Sequence, residues 1–473
     1  MTGTKIRNAP ELSGVGDRDG RRIVLEIAER TLRDLDSYAR IRSITSYRDG
    51  ILTIGTRQWD LRDGRNVYLV GAGKAANAMA MAIDHTLGDR LTAGVAIVKV
   101  AEPDDRFGKT EVFVGGHPLP DHEGHRATRR VLELVDEARP GDLFLAVVSG
   151  GSSALMNCPV EGVSVEDEAA ATDVLLKSGA GIFEVNAVRR HISQVNGGRL
   201  AERIAARGAE LVGFGISDAV GRPATTDIAR PVDDYHSTPI GPDRTTLDDA
   251  RRVIRDHGLA GYLPASVVKF LQDAGPERET PKSLPGNTYF LINTLPDAAR
   301  SASAAAAALG LPAHVLTTSL EGESREAGTF LAALAREIGT TGAPFAGPCV
   351  VVSVGETTTR IDPGDPIEGH GGPSHELTAA FALAASRVPG AVMFSVDSEG
   401  TDGTTSAAGG ITDSTTAARA AERGVDLVTA LRTHATHEAL SALGDVVVTG
   451  NTGTNLCDLN ILYVPGPGGS IDG

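Results

Sequence analysis

Cysteine is scarce in this sequence, and long apolar runs are absent. The three cysteines, Cys158, Cys349 and Cys457, lie too far apart in sequence to form a metal knuckle. No apolar run approaches the roughly 18 residues of a membrane-spanning helix, and the polar N-terminus lacks the apolar segment of a signal peptide. The sequence therefore predicts a cytoplasmic protein that is neither secreted nor inserted into a membrane.

An excess of positive charge is also missing. Asp and Glu number 61 against 45 Lys and Arg, which gives a net charge of −16. Binding to nucleic acid or to an anionic membrane surface needs clustered basic residues, so we expect neither partner. An anionic small-molecule substrate would have to be bound by a local group of donors.

The chain of 473 residues is longer than the roughly 250–300 residues over which a single core keeps growing, so we expect two domains. The proline-rich segment 273–287 is the predicted boundary. We expect residues 1–20 to be disordered or extended, residues 21–286 to form a large N-terminal α/β domain with a doubly wound, mostly parallel sheet, and residues 287–473 to form a smaller C-terminal α/β domain. We expect the active site in a cleft between the domains. The sequence leaves the oligomeric state open, a homodimer included.

The first loop that suggests chemistry follows the apolar stretch "NVYLV". Gly71 and Gly73 close a turn there, and Lys74 stands where a helix should begin. Unpaired amides at a helix N-terminus favour an anion, and a lysine beside them adds a positive charge, so the loop is a predicted phosphate site. The alternative is that the glycines only permit a tight turn.

The same loop matches G-x-G-x-x-A, a weak form of the dinucleotide-binding fingerprint. An NAD(P)-dependent hydroxy-acid reductase is therefore a rival hypothesis. The acidic residue expected about 20 positions after the turn is missing, because the next strand ends near Lys99.

A second apolar strand, "LFLAVV", leads into Ser149, Gly150, Gly151, Ser152 and Ser153. Small residues let backbone amides approach a phosphate, and the hydroxyls add donors. We predict a second phosphate-binding loop here, with an ordinary turn as the alternative.

Further candidates follow along the chain. Arg189 and Arg190, on a predicted helix, are suited to hold an acid substrate, although such a pair is often a solvated face. Asp218 follows a predicted strand and is a candidate Mg²⁺ ligand or catalytic carboxylate, or else only a helix cap.

The C-terminal part places polar residues in glycine-rich loops. Asp402 is a second candidate for orienting an acceptor hydroxyl or binding the metal, and Glu356 and Asn455 are candidate substrate contacts. His370 and His375 lie five residues apart without further metal-ligand spacing, so we do not expect them to bind a metal.

The order of these loops resembles the glycerate 2-kinase family, the type II glycerate kinases, whose C-terminal part is called the MOFRL domain. The resemblance covers about residues 22–460 and rests on these motifs, in the family's order: "VGAGKAA", "GGHPLPDHEG", "SGGSSAL", "EVNAVRRHIS", "SDAVG", "GTDGTTSAAGG" and "TGNTGTNLCDL".

The resemblance implies transfer of a phosphoryl group from ATP, with Mg²⁺, to the 2-hydroxyl of D-glycerate or a closely related hydroxy acid. The family's proposed catalytic lysine falls on Lys74. Its second proposed basic residue, an arginine, falls on Pro373 in "GHGGPSHE". Proline carries no charge and donates no hydrogen bond, so a catalytically inactive metabolite-binding homologue is a third hypothesis.

Overall fold

The computed structural model describes residues 4–103, 105–232, 239–362 and 364–466. The chain divides into two compact units. The parallel-sheet unit comprises Ser37–Ile216 and Thr226–Ile292, and the mixed-sheet unit comprises Met1–Asp36, Ser217–Thr225 and Asn293–Gly473.

The strands in chain order are β1 Thr45–Arg48, β2 Ile51–Ile54, β3 Arg57–Asp60, β4 Val67–Ala72, β5 Ala93–Val98, β6 Thr110–Val114, β7 Leu143–Val148, β8 Glu210–Ser217, β9 Thr288–Thr294, β10 Ala313–Glu323, β11 Cys349–Thr358, β12 Val392–Asp397, β13 Gly409–Asp413, β14 Val446–Val447 and β15 Asp458–Val464.

The helices are α1 Ala9–Leu12, α2 Arg18–Asp34, α3 Ser37–Ile44, α4 Ala76–Leu87, α5 His122–Glu137, α6 Ser152–Leu155, α7 Val165–Lys177, α8 Ile182–His191, α9 Arg199–Ala206, α10 Leu247–Asp256, α11 Ala265–Asp273, α12 Leu295–Ala308, α13 Ser324–Thr341, α14 Pro373–Ala385, α15 Thr416–Arg423, α16 Leu427–Arg432 and α17 Thr436–Leu443. Within the described residues, none of the helices has the length and apolar character needed to cross a membrane.

The larger sheet of the parallel-sheet unit has the strand order β6-β5-β4-β7-β8-β9. Strands β4, β5, β6, β7 and β8 pair in parallel. Residues of β4 and β7 are buried throughout, as expected for a parallel sheet that is covered on both faces. The predicted doubly wound α/β class is confirmed.

The mixed-sheet unit contains a sheet with the order β10-β11-β15-β12-β13-β14. Only β10 and β11 pair in parallel, while β15 runs antiparallel to both β11 and β12. Its core includes Leu331, Phe381 and Met393, all buried. The carboxyl ends of β11 and β12 and the start of β15 therefore meet at one edge of this sheet.

The compact units differ from the predicted division at residue 286. Strand β9 lies at the edge of the parallel sheet beside β8, so the first unit extends to Ile292. Residues 18–34 form helix α2 and belong to the mixed-sheet unit, and the expected extended N-terminus contains the short helix α1. The apolar pattern of a strand or helix does not show which sheet or unit it will join. Contacts between residues distant in sequence decide that.

A buried arginine holds α2 in the mixed-sheet unit. Arg21 is fully buried, and its Nε and Nη1 donate to Asp413 Oδ2 at 2.5 Å and Asp445 Oδ1 at 2.9 Å. Arg419 also donates to Asp445. Burial opposes ionisation of Asp413, yet the charge of Arg21 lowers the pKa of this carboxyl. Two charged hydrogen bonds thus join the N-terminal helix to residues 392 and 424 positions away.

Replacing Arg21 with methionine leaves two buried carboxylates without this partner. We expect Arg21→Met to lower the free energy of unfolding by about 3–5 kcal/mol, measured by urea denaturation. Arg22→Met is the matched control, because Arg22 is exposed and pairs with Asp19 at the surface, so its loss should cost less than about 1 kcal/mol. Equal unfolding midpoints for the two variants would contradict this assignment.

Candidate functional site

The strand order of the parallel sheet reverses between β4 and β7. Strands β4, β5 and β6 follow one another to one side, whereas β7, β8 and β9 extend to the other. In open α/β sheets ligands bind outside the carboxyl ends of the strands at such a switch point. Both predicted phosphate loops leave the sheet here, one from β4 and one from β7.

The first loop packs closely on the second. Gly73 has a φ of +137°, and a Cβ at this position would lie 2.2 Å from Ser149 Oγ, so only glycine fits. The Lys74 amide donates to Gly150 O at 2.9 Å, and the Ala75 amide donates to Ser149 Oγ at 3.0 Å. The Ser149 hydroxyl thereby supports the start of α4, whose own N-cap residue, Ala75, has no capping side chain.

The second loop brings small residues against the lysine. Gly151 has a φ of +84°, and a Cβ there would lie 3.3 Å from Lys74 Cγ, so the half-buried Lys74 side chain passes directly over this glycine. Ser152 begins the single-turn helix α6, and Ser153 O accepts from Asn196 Nδ2 at 3.3 Å.

The structure therefore brings Gly73, Lys74 and the predicted residues 149–153 together. Gly71 lies within β4, where a Cβ would meet Val147 Cγ2 at 2.6 Å, so its missing side chain serves strand packing.

The two predicted substrate arginines lie on α8 and differ in their surroundings. Arg190 Nη1 donates to the buried Asp243 at 2.8 Å, which fixes this side chain to the loop before α10. Burial lowers the pKa of Arg189, while the negative charge of Glu168 acts in the opposite direction. Burial raises the pKa of Glu168 to about 7. Arg189 Nη2 is buried and has no hydrogen-bond partner among the described residues, which leaves a donor for an anion.

Carboxylates gather at the edge of the mixed sheet where β11 and β12 end. Asp458 stands opposite Asp397 in the ladder between β12 and β15, and the exposed Glu356 lies on β11. Cys457 Sγ lies 3.8 Å from Glu356 Oε2 and 3.5 Å from Asp218 O. The structure thus groups the predicted Asp218 and Glu356 in the mixed-sheet unit.

This edge has a strongly negative potential. Burial, together with the charges of Asp402 and Glu356, raises the pKa of Asp458 well above its usual value. Burial and neighbouring carboxylates, Glu356 and Asp218 foremost, do the same for the Cys457 thiol. Carboxylates crowded in this way are a setting in which a cation is favourable.

Asp402 is buried and is held by the first turn of α14. Its carboxylate accepts from the amides of Ser374 at 3.1 Å and His375 at 2.9 Å, and from His375 Nδ1. Pro373 is the first residue of this helix, where a missing N–H costs nothing. Through these contacts Asp402 caps α14 and orients His375.

Asn455 lies in the loop before β15 and is buried. Its Oδ1 and the neighbouring Thr454 Oγ1 have no hydrogen-bond partner within the described ranges. A buried polar atom without a protein partner is unusual, and it is consistent with a contact to a ligand hydroxyl.

The two histidines of the "GHGGPSHE" loop turn to different partners. His370 Nδ1 pairs with Glu438 at 2.8 Å, whereas His375 pairs with Asp402. Among the residues that the structure describes, no group of three or more His, Cys, Asp or Glu is placed to hold a metal ion. Sequence reasoning missed His437, whose Nδ1 lies 3.3 Å from His375 Nε2, because nothing in the spacing "THATHE" shows which loop it faces.

Comparison with known families finds two matches along the chain. Residues 23–272 match a family model described as a domain of unknown function (DUF4147). Residues 349–458 match the model of the MOFRL family.

Several similar proteins are named glycerate kinases. A glycerate 2-kinase of Pyrococcus horikoshii is 35% identical over 94% of this chain and 98% of its own length. A D-glycerate 2-kinase of Thermotoga maritima is 37% identical over 84% of this chain and 90% of its own. The crystal structure of a glycerate kinase from T. maritima superposes with a TM-score of 0.75 at 34% identity, covering 94% of this chain and 99% of that one. A protein of Agrobacterium vitis that is provisionally named a hydroxypyruvate reductase is 34% identical over 84% of this chain and 98% of its own length.

The contact between Gly73 and Ser149 makes the first loop sensitive to a single methyl group. We expect Gly73→Ala to lower the free energy of unfolding by about 3 kcal/mol or more, because overpacking adds to backbone strain. Gly64→Ala is the matched control: Gly64 has a φ of +79° but open space around it, so only the backbone strain of about 1–2 kcal/mol applies. Urea denaturation measures the free energy of unfolding of both variants. An equal loss in the two variants would show that Ser149 can move aside without an energetic penalty.

Proposed function

The chain belongs to the glycerate 2-kinase family, and from this premise we propose that it transfers the γ-phosphoryl group of ATP to the 2-hydroxyl of D-glycerate or a closely related hydroxy acid. The observation that carries the proposal is the pair of interlocked glycine-rich loops with Lys74 at the switch point of the parallel sheet. Family membership alone would not indicate where phosphate binds.

We assign the phosphate contacts to residues 149–153 together with Gly73 and Lys74. Backbone amides of the second loop would donate to phosphate oxygens, and the ammonium of Lys74 would offset the charge that spreads over the transferred group. Phosphoryl transfer needs little covalent help from the protein, so positioning and electrostatic stabilisation account for most of the rate.

Mg²⁺ suits the donors at the edge of the mixed sheet. Mg²⁺ is usually held by one or two carboxylates, with waters and substrate phosphates completing its shell. Glu356 Oε2 lies 3.8 Å from Cys457 Sγ. The charges of Glu356 and Asp218 both raise the pKa of the Cys457 thiol, so both carboxylates act on this edge. A bound Mg²⁺ would supply positive charge of the kind that offsets phosphate charge in phosphoryl transfer. We propose Asp218 as its protein ligand; Asp402 is less suited, because backbone amides and His375 already occupy its oxygens.

The acceptor contacts are proposed from unsatisfied groups. Arg189 Nη2 offers a donor for the carboxylate of the acid, and Asn455 Oδ1 offers an acceptor for a hydroxyl. Arg190 has its partner in Asp243, so we assign it a supporting role. Glu356 is exposed and available to a hydroxyl.

A reductase is the second candidate, favoured by the G-x-G-x-x-A turn and by the name of the A. vitis relative. The turn is followed by β5, which ends at Val98 and is succeeded by Lys99 rather than by an acidic residue. The ribose-binding carboxylate of a dinucleotide site is therefore missing at the usual place.

We expect the purified protein to consume ATP with Mg²⁺ and D-glycerate and to release a 2-phosphorylated acid, identified by ³¹P NMR and mass. The panel includes L-glycerate, lactate, hydroxypyruvate and glycerol, and a parallel assay follows NADH and NADPH oxidation with hydroxypyruvate. Product from another acid alone would change the substrate but keep the reaction. Oxidation of NADH or NADPH would show that the protein is a reductase and would overturn the kinase proposal. Binding of ATP without any product would support the inactive metabolite-binding homologue instead.

Lys74→Ala should lower kcat/KM about 100-fold or more, since it removes a charge aimed at the transferred group. Lys74→Arg should recover part of this loss. The matched control is Lys109→Ala, an exposed lysine of the same unit, which should leave kcat/KM within about twofold, as expected of a surface change. Unchanged turnover and ATP affinity in Lys74→Ala would rule out the assignment.

A further inference from the structure

One row of residues across the mixed sheet is polar although it is buried. Asn460 of β15 stands directly opposite Ser353 of β11 and Ser395 of β12, and all three residues are at most 2% exposed. The next row on the same face of the sheet consists of the apolar core residues Val351, Leu462 and Met393. Burial alone would favour apolar side chains in both rows, so the polar row needs a physical explanation.

The side-chain amide of Asn460 lies in the middle of this row without a protein partner. Neither its Oδ1 nor its Nδ2 forms a hydrogen bond with another residue in the described ranges. Side chains directly opposite each other in antiparallel strands have Cβ atoms about 4.5–5.5 Å apart, so Ser353 and Ser395 flank this amide. Buried polar groups nearly always have a partner, which indicates that a ligand or an ordered water satisfies the Asn460 amide.

The buried carboxylate of Asp458 lies on the same face, two residues before Asn460. Its Oδ1 accepts from Ser374 Oγ at 3.5 Å, and Ser374 Oγ accepts from Ser395 Oγ at 3.0 Å. Its Oδ2 accepts from the amide and the hydroxyl of Thr357 at 3.3 and 3.2 Å. Oxygen atoms of Asp458, Ser374 and Ser395 therefore converge beside Asn460, at the start of α14.

The charge of Asp458 is not balanced by a basic side chain among the described residues. Its hydrogen-bond partners are neutral, and its contacts with them are long. The charged groups around it are acidic: Asp402 and Glu356 raise its pKa, and Asp397 stands opposite it in the ladder between β12 and β15. A buried charge in a protein is normally paired or bound to a metal ion, so this cluster favours a cation.

The donors suit a monovalent cation such as K⁺ or Na⁺ better than Mg²⁺. Hydroxyl and amide oxygens are neutral ligands of the kind that replace the hydration shell of K⁺, and one carboxylate balances a single positive charge. Mg²⁺ demands an octahedral shell and usually keeps several waters. The Glu356 side chain belongs to the opposite face of the sheet, because Ser353 and Thr357 of β11 share the face of Asp458 and successive side chains alternate.

We propose that a polar layer, formed by Ser353, Ser374, Ser395, Asp458 and Asn460, binds a monovalent cation of the K⁺ or Na⁺ class. The Asp458 carboxylate, Asn460 Oδ1 and the serine hydroxyls would be its ligands, and Asn460 Nδ2 would donate toward Ser353. The bound ion would join the start of α14 to the three central strands of the mixed sheet. Binding of this ion is independent of the kinase function.

The first test follows urea unfolding of the full-length protein without Mg²⁺ or nucleotide. KCl, NaCl and choline chloride are compared at equal ionic strength, because choline is too large to enter the layer. KCl or NaCl should stabilise the protein in a saturable way, and about 100 times Kd of the ion should raise the ratio of folded to unfolded protein about 100-fold. Equal stability in all three salts would overturn the proposal, and so would stabilisation by MgCl₂ alone.

Two substitutions test the location of the ion. Asp458→Asn removes the charge with little change of shape, and Asn460→Leu replaces the unsatisfied amide by an apolar side chain of similar size. Each variant should lose the dependence of stability on K⁺ or Na⁺. Asp362→Asn is the matched control, because this exposed carboxylate of the same unit pairs with Arg360 at the surface, and it should keep the full dependence. Retention of the dependence in Asp458→Asn and Asn460→Leu would overturn the assignment.

A crystallographic measurement on the wild-type protein covers the case in which neither variant folds. Crystals grown with Rb⁺ or Tl⁺ in place of the lighter ions should show an anomalous scattering peak within ligand distance of Asp458 and Asn460. Absence of a peak between these two side chains, with Rb⁺ or Tl⁺ at a concentration that stabilises the protein, would overturn the site.

Discussion

The buried pairing of Arg21 with Asp413 and Asp445 is the constraint on which the mixed-sheet unit depends. An arginine without exposure to water is tolerated only when carboxylates meet its guanidinium, so α2 has to pack where β13 ends and β14 begins. The first residues of the chain thereby complete a unit whose sheet comes almost entirely from the last third. The packing of that sheet therefore uses contacts from both the first and the last parts of the chain.

A second constraint acts in the parallel sheet and comes from strand order alone. Placing β4 and β7 side by side makes neighbours of two loops that lie more than 70 residues apart in sequence. Their glycines are then required by mutual contact: Gly73 fits because Ser149 leaves no room for a Cβ, and Gly151 lets the stem of Lys74 pass. Both loops therefore contribute to the orientation of Lys74.

The sequence was sufficient for the local parts and insufficient for long-range partners. Apolar strands that enter glycine turns predicted β4 and β7, and the small residues of the loops marked the phosphate candidates. The sheet that β9 joins and the unit to which α2 belongs could not be predicted, because both depend on pairings distant in sequence. Asp402 is a similar case: its place in a glycine-rich loop made it a candidate for direct chemistry, but its partners on α14, 28 and 27 positions earlier, could not be predicted.

The charges of the two units differ in a way that bears on how an acidic substrate is held. The edge of the mixed sheet carries Glu356, Asp397 and Asp458, and an anion brought there alone would be repelled. Donors for anions, Lys74 and the unsatisfied nitrogen of Arg189, belong to the parallel-sheet unit. The mixed-sheet unit is therefore suited to cations and to neutral hydroxyls, whose proton needs an acceptor.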